Sequence, residues 1–179
     1  MKQFSKLYAL IALALYRSGV TYQAHTFFNY AKHFLSHILG KPNERECCYF
    51  DDSMFLVYFL DALMATEKEE YDKAREYFDS AEFYMKRSTG AMFFNYPQFV
   101  LAKYDLMIKL GQLQQAEQFI NEGIAYCRER GYRHYENRMI SVRDGKEFLC
   151  VQERGRGQAG AGESGLHTNC PAKDERECR

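Results

Sequence analysis

The chain has no net charge: 24 Lys and Arg stand against 24 Asp and Glu in 179 residues. That balance removes the general field that draws basic proteins to nucleic acid or to anionic membranes. No stretch is long enough to span a bilayer, because the most apolar one, residues 7–15, is about half the required length. The six cysteines (Cys47, Cys48, Cys127, Cys150, Cys170, Cys178) include no C-x-x-C pair. Neither a zinc ribbon nor a dithiol redox motif fits, and reduced thiols in a cytoplasmic protein are expected. G-x-S-x-G, the P-loop lysine motif, H-E-x-x-H and the calcium-binding loop are missing too. Carboxylates are scattered along helical faces, so no acid–base pair stands out. These absences lead us to expect no enzyme, no cofactor and no nucleic-acid partner.

Apolar residues, by contrast, are plentiful. They make up 46% of the chain, with 14 Phe and 14 Tyr, enough for a real core and too many for wholesale disorder. The neutral total also conceals an asymmetry: residues 1–50 carry six basic and two acidic side chains, and residues 51–90 carry five and ten. Such an asymmetry could orient a charged partner, but solvated helix faces of opposite sign are the favoured reading.

One short signature occurs three times. A small residue is followed four positions on by a large apolar one and three beyond that by another small one: Ala24/Phe28/Ala31, Ala74/Phe78/Ala81 and Ala116/Ile120/Gly123. Such spacing places all three on one helical face, where small residues admit a neighbouring helix and the large one fills the gap. Each copy follows an apolar stretch and a turn, at Arg17-Ser18-Gly19, Lys68-Glu69-Glu70 and Leu110-Gly111-Gln112. Recurrence at long period marks helical repeats.

Apolar spacing of three and four predicts helices near 3–18, 20–39, 52–67, 70–88, 97–110, 112–130 and 132–150, and no strand. Gly19, Gly40, Gly90, Gly111 and Gly131 stand where C-terminal caps belong. Asp51, Asp52 and Ser53 offer N-caps to the third helix, and Pro97 suits the first turn of the fifth. Lys2 and Lys6 before the apolar run give it a signal-like look, but Tyr8, Tyr16 and Arg17 interrupt that pattern and a first repeat helix fits better. Three hairpins (3–39, 52–88, 97–130) thus form a repeat unit over 1–135, followed by an extra helix over 136–153. Residues 154–179 contain no aromatic and are expected to be disordered. Their Arg/Gly tract reads as non-native, as if the reading frame shifted near residue 150, and its two G-x-G-x-x-G matches follow no strand.

The signature and its turns resemble the tetratricopeptide repeat. The first repeat shows Ala12, Gly19, Ala24, Phe28 and Ala31, and the second Ala62, Tyr71, Ala74, Phe78 and Ala81. In the third come Gly111, Leu113, Ala116, Ile120 and Gly123, with Tyr104 where a small residue is usual. The chain departs from that family in repeat spacing, 50 and 42 residues against a standard of about 34, and in lacking the usual Trp and the repeat-ending Pro. Long divergent repeats of this kind are similar to those in bacterial signalling proteins, including sensory regions ahead of histidine kinases or regulators. The resemblance implies an all-α, right-handed solenoid of stacked hairpins that binds protein or peptide, or a sensory or linker fragment that lacks its output module.

In that family the first helix of each repeat lines a groove. Carried over, the groove holds Lys6, Leu13 and Tyr16, then Phe59 and Leu63, then Gln98, Leu101, Asp105, Ile108 and Lys109. Such a surface suits an amphipathic helix or an extended peptide, and unfinished repeat ends would allow self-association. Aromatic pairs at Phe27-Phe28, Tyr49-Phe50 and Phe93-Phe94, together with Tyr96, exceed what the core requires, so some should lie on a binding surface. His33 and His37 share the i,i+4 spacing of metal-binding pairs; no obvious third ligand stands nearby in sequence, although Cys47-Cys48 could supply one, and ordinary surface histidines are the favoured reading over a helical enzyme with a histidine-bound metal.

Overall fold

The computed structural model describes residues 4–39, 48–88 and 91–145. Among these residues it shows seven helices and no strand: α1 (Phe4–Arg17), α2 (Thr21–Leu39), α3 (Cys48–Glu67), α4 (Tyr71–Arg87), α5 (Ala91–Lys109), α6 (Leu113–Glu129) and α7 (Arg133–Arg143). The helices pair as hairpins, α1 with α2, α3 with α4, α5 with α6, and these pack side by side in the manner of a helical-repeat solenoid. Gly40, Gly90 and the expected tail at 154–179 lie outside the described residues.

Every hairpin turn has the same build. The N–H groups of Val20, Glu70, Gln112 and Tyr132 donate to the carbonyls of Leu15, Ala65, Met107 and Cys127 at 2.9–3.0 Å, the six-to-one bond that closes a helix C-terminus. The residue before each donor is left-handed: Gly19, Glu69, Gly111 and Gly131, with φ of +76°, +60°, +73° and +72°. Three turns use glycine there, and the second forces a glutamate into the same geometry.

The repeated signature is the contact surface inside each hairpin. Ala24, Ala31, Ala74, Ala81 and Ala116 are fully buried, as are Ala9, Ala12 and Ala62 on the facing first helices. Phe28, Phe78 and Ile120 fill the space between the small residues, and burying each phenylalanine contributes roughly 1.5–3 kcal/mol. Gly123 gives the tightest approach: a Cβ there would lie 2.6 Å from Cγ1 of Val100 and 3.2 Å from Sδ of Met139.

Three boundaries differ from expectation. The third helix begins at Cys48, so Asp51, Asp52 and Ser53 stand inside it and cap nothing. Asp52 and Ser53 are instead buried: the Asp52 carboxylate accepts from Lys6 Nζ and Ser88 Oγ, and the Ser53 and Ser5 hydroxyls are 3.0 Å apart. The fifth helix continues through Pro97, despite the lost N–H bond to the carbonyl four residues back. Packing outweighs that loss, since Tyr96 lies on Tyr126 of α6 with ring centroids 4.3 Å apart. The seventh helix stops at Arg143, because Gly145 turns left-handed at φ +68° and ends it as the hairpin helices end.

Two core clusters form, one over α1–α4 and one over α5–α7, and Phe99 joins them. Its ring sits 6.1, 5.8 and 5.7 Å from those of Phe55, Phe59 and Phe78, and 6.5 Å from Phe119 of α6.

Two substitutions test this geometry in chemical denaturation. Gly123→Ala should cost about 1–2 kcal/mol, because overpacking against the stiff, buried Val100 exceeds the helix propensity gained. Glu69→Gly should stabilise by about 0.5–1 kcal/mol, because relief of the left-handed strain outweighs glycine's unfolded-state entropy.

Candidate functional site

The residues expected to line a groove divide sharply. Leu13, Tyr16, Phe59, Leu63 and Leu101 are buried in the core. First helices in this array pack against one another, α1 on α3 and α3 on α5. Lys6 is half-buried and committed to Asp52. Gln98 is half-buried and donates to the Tyr135 hydroxyl of α7 at 2.6 Å. Of the expected groove residues, Ile108 is exposed, and Lys109 is exposed and paired to Asp105 at 2.9 Å.

What remains along the first helices is a set of polar groups with incomplete partners. The Tyr16 hydroxyl and the Gln98 Oε1 are buried with no hydrogen-bond partner. Burial, and secondarily the neighbouring Glu67 carboxylate, push the Tyr16 phenol well above its ordinary range; the two groups lie within reach, but no well-formed hydrogen bond joins them. Arg17 is exposed as a residue, yet desolvation of its guanidinium, together with the Arg138 charge, lowers its pKa while Tyr135 counters. No acid–base pair or nucleophile with an activating base emerges, and no group of three or more metal-ligating side chains occurs among the described residues.

The strongest surface feature lies elsewhere, on the first hairpin. Phe4 and Tyr8 of α1 and Phe27, Tyr30 and Phe34 of α2 form a continuous aromatic terrace. Tyr8 is its centre, with ring centroids 6.5 Å from Phe4, 5.9 Å from Phe27, 5.6 Å from Tyr30 and 5.5 Å from Phe34, which it stacks at 8°. Ring contacts of these five residues among the described residues stay within the hairpin, extending only to His33 beside Phe34. The terrace is open to solvent: Phe4 is 46% exposed, Tyr30 50% and the adjoining Leu7 50%.

Local sequence explains the terrace. Phe4 and Tyr8 are one turn apart, and Phe27, Tyr30 and Phe34 follow at three and four, so each set occupies one stripe of its helix. No Asp or Glu occurs anywhere in residues 4–39, and two of the three cations there, Lys6 and Lys32, turn to Asp52 and Asp61 of α3. The terrace thus carries no carboxylate of its own. Of the aromatic pairs singled out from the sequence, Phe28 and Phe50 are core, whereas Phe27 joins the terrace and Tyr96 the α5–α6 contact. The side chains of Tyr49, Phe93 and Phe94 lie outside the described residues. Phe4, Tyr8, Tyr30 and Phe34 were not picked out from the sequence, although their spacing was visible there.

No family model, curated protein or solved structure matches the chain. The likeness to tetratricopeptide repeats therefore rests on the signature residues alone. No helix among the described residues is long and apolar enough to cross a membrane.

Tyr16→Phe should raise stability by about 1 kcal/mol at neutral pH, because it removes a buried hydroxyl without a partner. The parent's Tyr16 also adds alkaline sensitivity. A phenol held neutral by the fold lends stability below the ordinary tyrosine pKa of about 10, and that stability is lost as pH rises toward the folded value. Urea melts from pH 8 to pH 11 should show a shallower decline for Tyr16→Phe than for the parent.

Proposed function

We propose that the chain is a non-catalytic helical-repeat module that binds protein or peptide, and that the aromatic terrace of the first hairpin is its contact face. The observation that carries this reading is the terrace itself: five clustered rings, with Phe4, Tyr30 and the neighbouring Leu7 exposed and Tyr8, Phe27 and Phe34 half-buried, on a hairpin with no carboxylate. Clustered exposed aromatics on a soluble surface are the composition of binding hot spots, where each ring offers a large rigid area at little entropic cost. A flat strip across two antiparallel helices suits the apolar face of an amphipathic helix. The scattered, ion-paired carboxylates of α3 and α4 support the non-catalytic part of the reading, because they serve hairpin packing rather than a common centre.

A selection of displayed amphipathic helical peptides against the full chain tests this. Peptides enriched on the parent should bind a Phe4→Ala/Tyr30→Ala variant at least about tenfold more weakly, as expected when two anchor rings are lost. Both residues are exposed, so the variant should keep the parent's circular dichroism and melt. Equal binding by the two proteins would reject the terrace as the contact face.

A further inference from the structure

His33 and His37 do more in three dimensions than share a helix face. Their Nε2 atoms point at one another 3.2 Å apart, with the rings perpendicular and their centroids separated by 4.6 Å. Two imidazole nitrogens bound to one zinc ion at about 2.0–2.1 Å and a tetrahedral angle stand about 3.3 Å apart. The pair already has that separation, and turning the two rings so that their lone pairs converge beside the Nε2–Nε2 line would seat a cation. Phe34 meets the His33 ring edge-on at 5.9 Å and limits its freedom. Both histidines are exposed, so a hydrated ion has a clear approach.

We propose that His33 and His37 form a two-imidazole clamp for a divalent transition cation of the zinc and copper class. Neutral imidazole suits these borderline ions and not magnesium or calcium, which need oxygen ligands. Neither α1 nor α2 carries an acidic residue, and among the described residues no third ligand completes the clamp, so the ion's remaining positions are left to water or to a ligand from a partner. The two nitrogens converge only while α2 is helical, so the cation binds the folded state in preference. The site lies at the edge of the aromatic terrace, but its existence does not depend on the terrace binding anything.

The test uses the full reduced chain with zinc chloride and magnesium chloride. Zinc should bind saturably and shift the imidazole nitrogen resonances of His33 and His37, while magnesium should do neither. Melting temperature should rise by roughly 5–10 °C when the free cation is about 100-fold above its Kd. His37→Ala and His33→Ala should each bind at least about tenfold more weakly, whereas His25→Ala, which removes an unpaired imidazole from the same helix, should match the parent. Unchanged affinity in both clamp variants, or zinc binding that leaves the two imidazole resonances unmoved, would overturn the proposal. The resonance readout is made on the parent, so it decides the matter even if a variant folds poorly.

Discussion

Close approach of helices through alanine and glycine is the constraint on which the rest of this structure depends. Ala9, Ala12 and Ala62 of the first helices are fully buried, as are the alanines of the second-helix signatures, and a Cβ on Gly123 would lie 2.6 Å from Val100 Cγ1. Larger side chains at these points would overpack the hairpins. The left-handed turn residue follows from the same constraint, because a tight hairpin needs an abrupt helix end, and Glu69 accepts φ +60° where the other turns use glycine. Strain at one turn is tolerated because the packing of α3 on α4 over-determines it.

Polar contacts then fix how hairpins sit on each other. The Asp52 carboxylate is nearly buried and is held by Lys6 from α1 and Ser88 beyond α4, tying three helices at one point. Lys103 serves the same purpose further along. Its ammonium bonds Asp79 at 3.1 Å and Glu82 at 2.7 Å while lying 5.9 Å from the Phe99 ring and 5.8 Å from Phe119. Burial opposes ionisation of Glu82, but Lys103 and Lys86 prevail and keep its carboxyl below the usual range. Cations of one hairpin thus meet carboxylates of its neighbour, and two basic side chains of the first third do so with the second, as Lys6–Asp52 and Lys32–Asp61.

Much of the fold was legible from the sequence because its signals are local. Ala/Phe/Ala spacing and turn glycines are properties of a few adjacent residues, and the hairpins follow from them. The boundaries at Cys48 and around Pro97 were not legible in this way. There, contacts such as Tyr96 on Tyr126 extend a helix past a residue that by propensity would start one. The site was less legible than the fold. Leu13, Phe59, Leu63 and Leu101 have the character of groove residues and the positions of groove residues, yet they are core. Phe4, Tyr8, Tyr30 and Phe34 look like core residues in a list, yet they form an open surface.

By itself the sequence determined that the chain is all-helical, where its helices turn, and which face of each second helix meets its partner. Periodicity supplies those facts because one amphipathic helix needs only one apolar neighbour to account for its pattern. Only the tertiary structure decided which apolar faces remain in water. A helix in a stacked array has neighbours on more than one side, and α3, apolar around most of its circumference, is covered from α1, α2, α4 and α5. The first hairpin packs against α3 through one side of α1 and α2 alone, and so its aromatic stripe stays open.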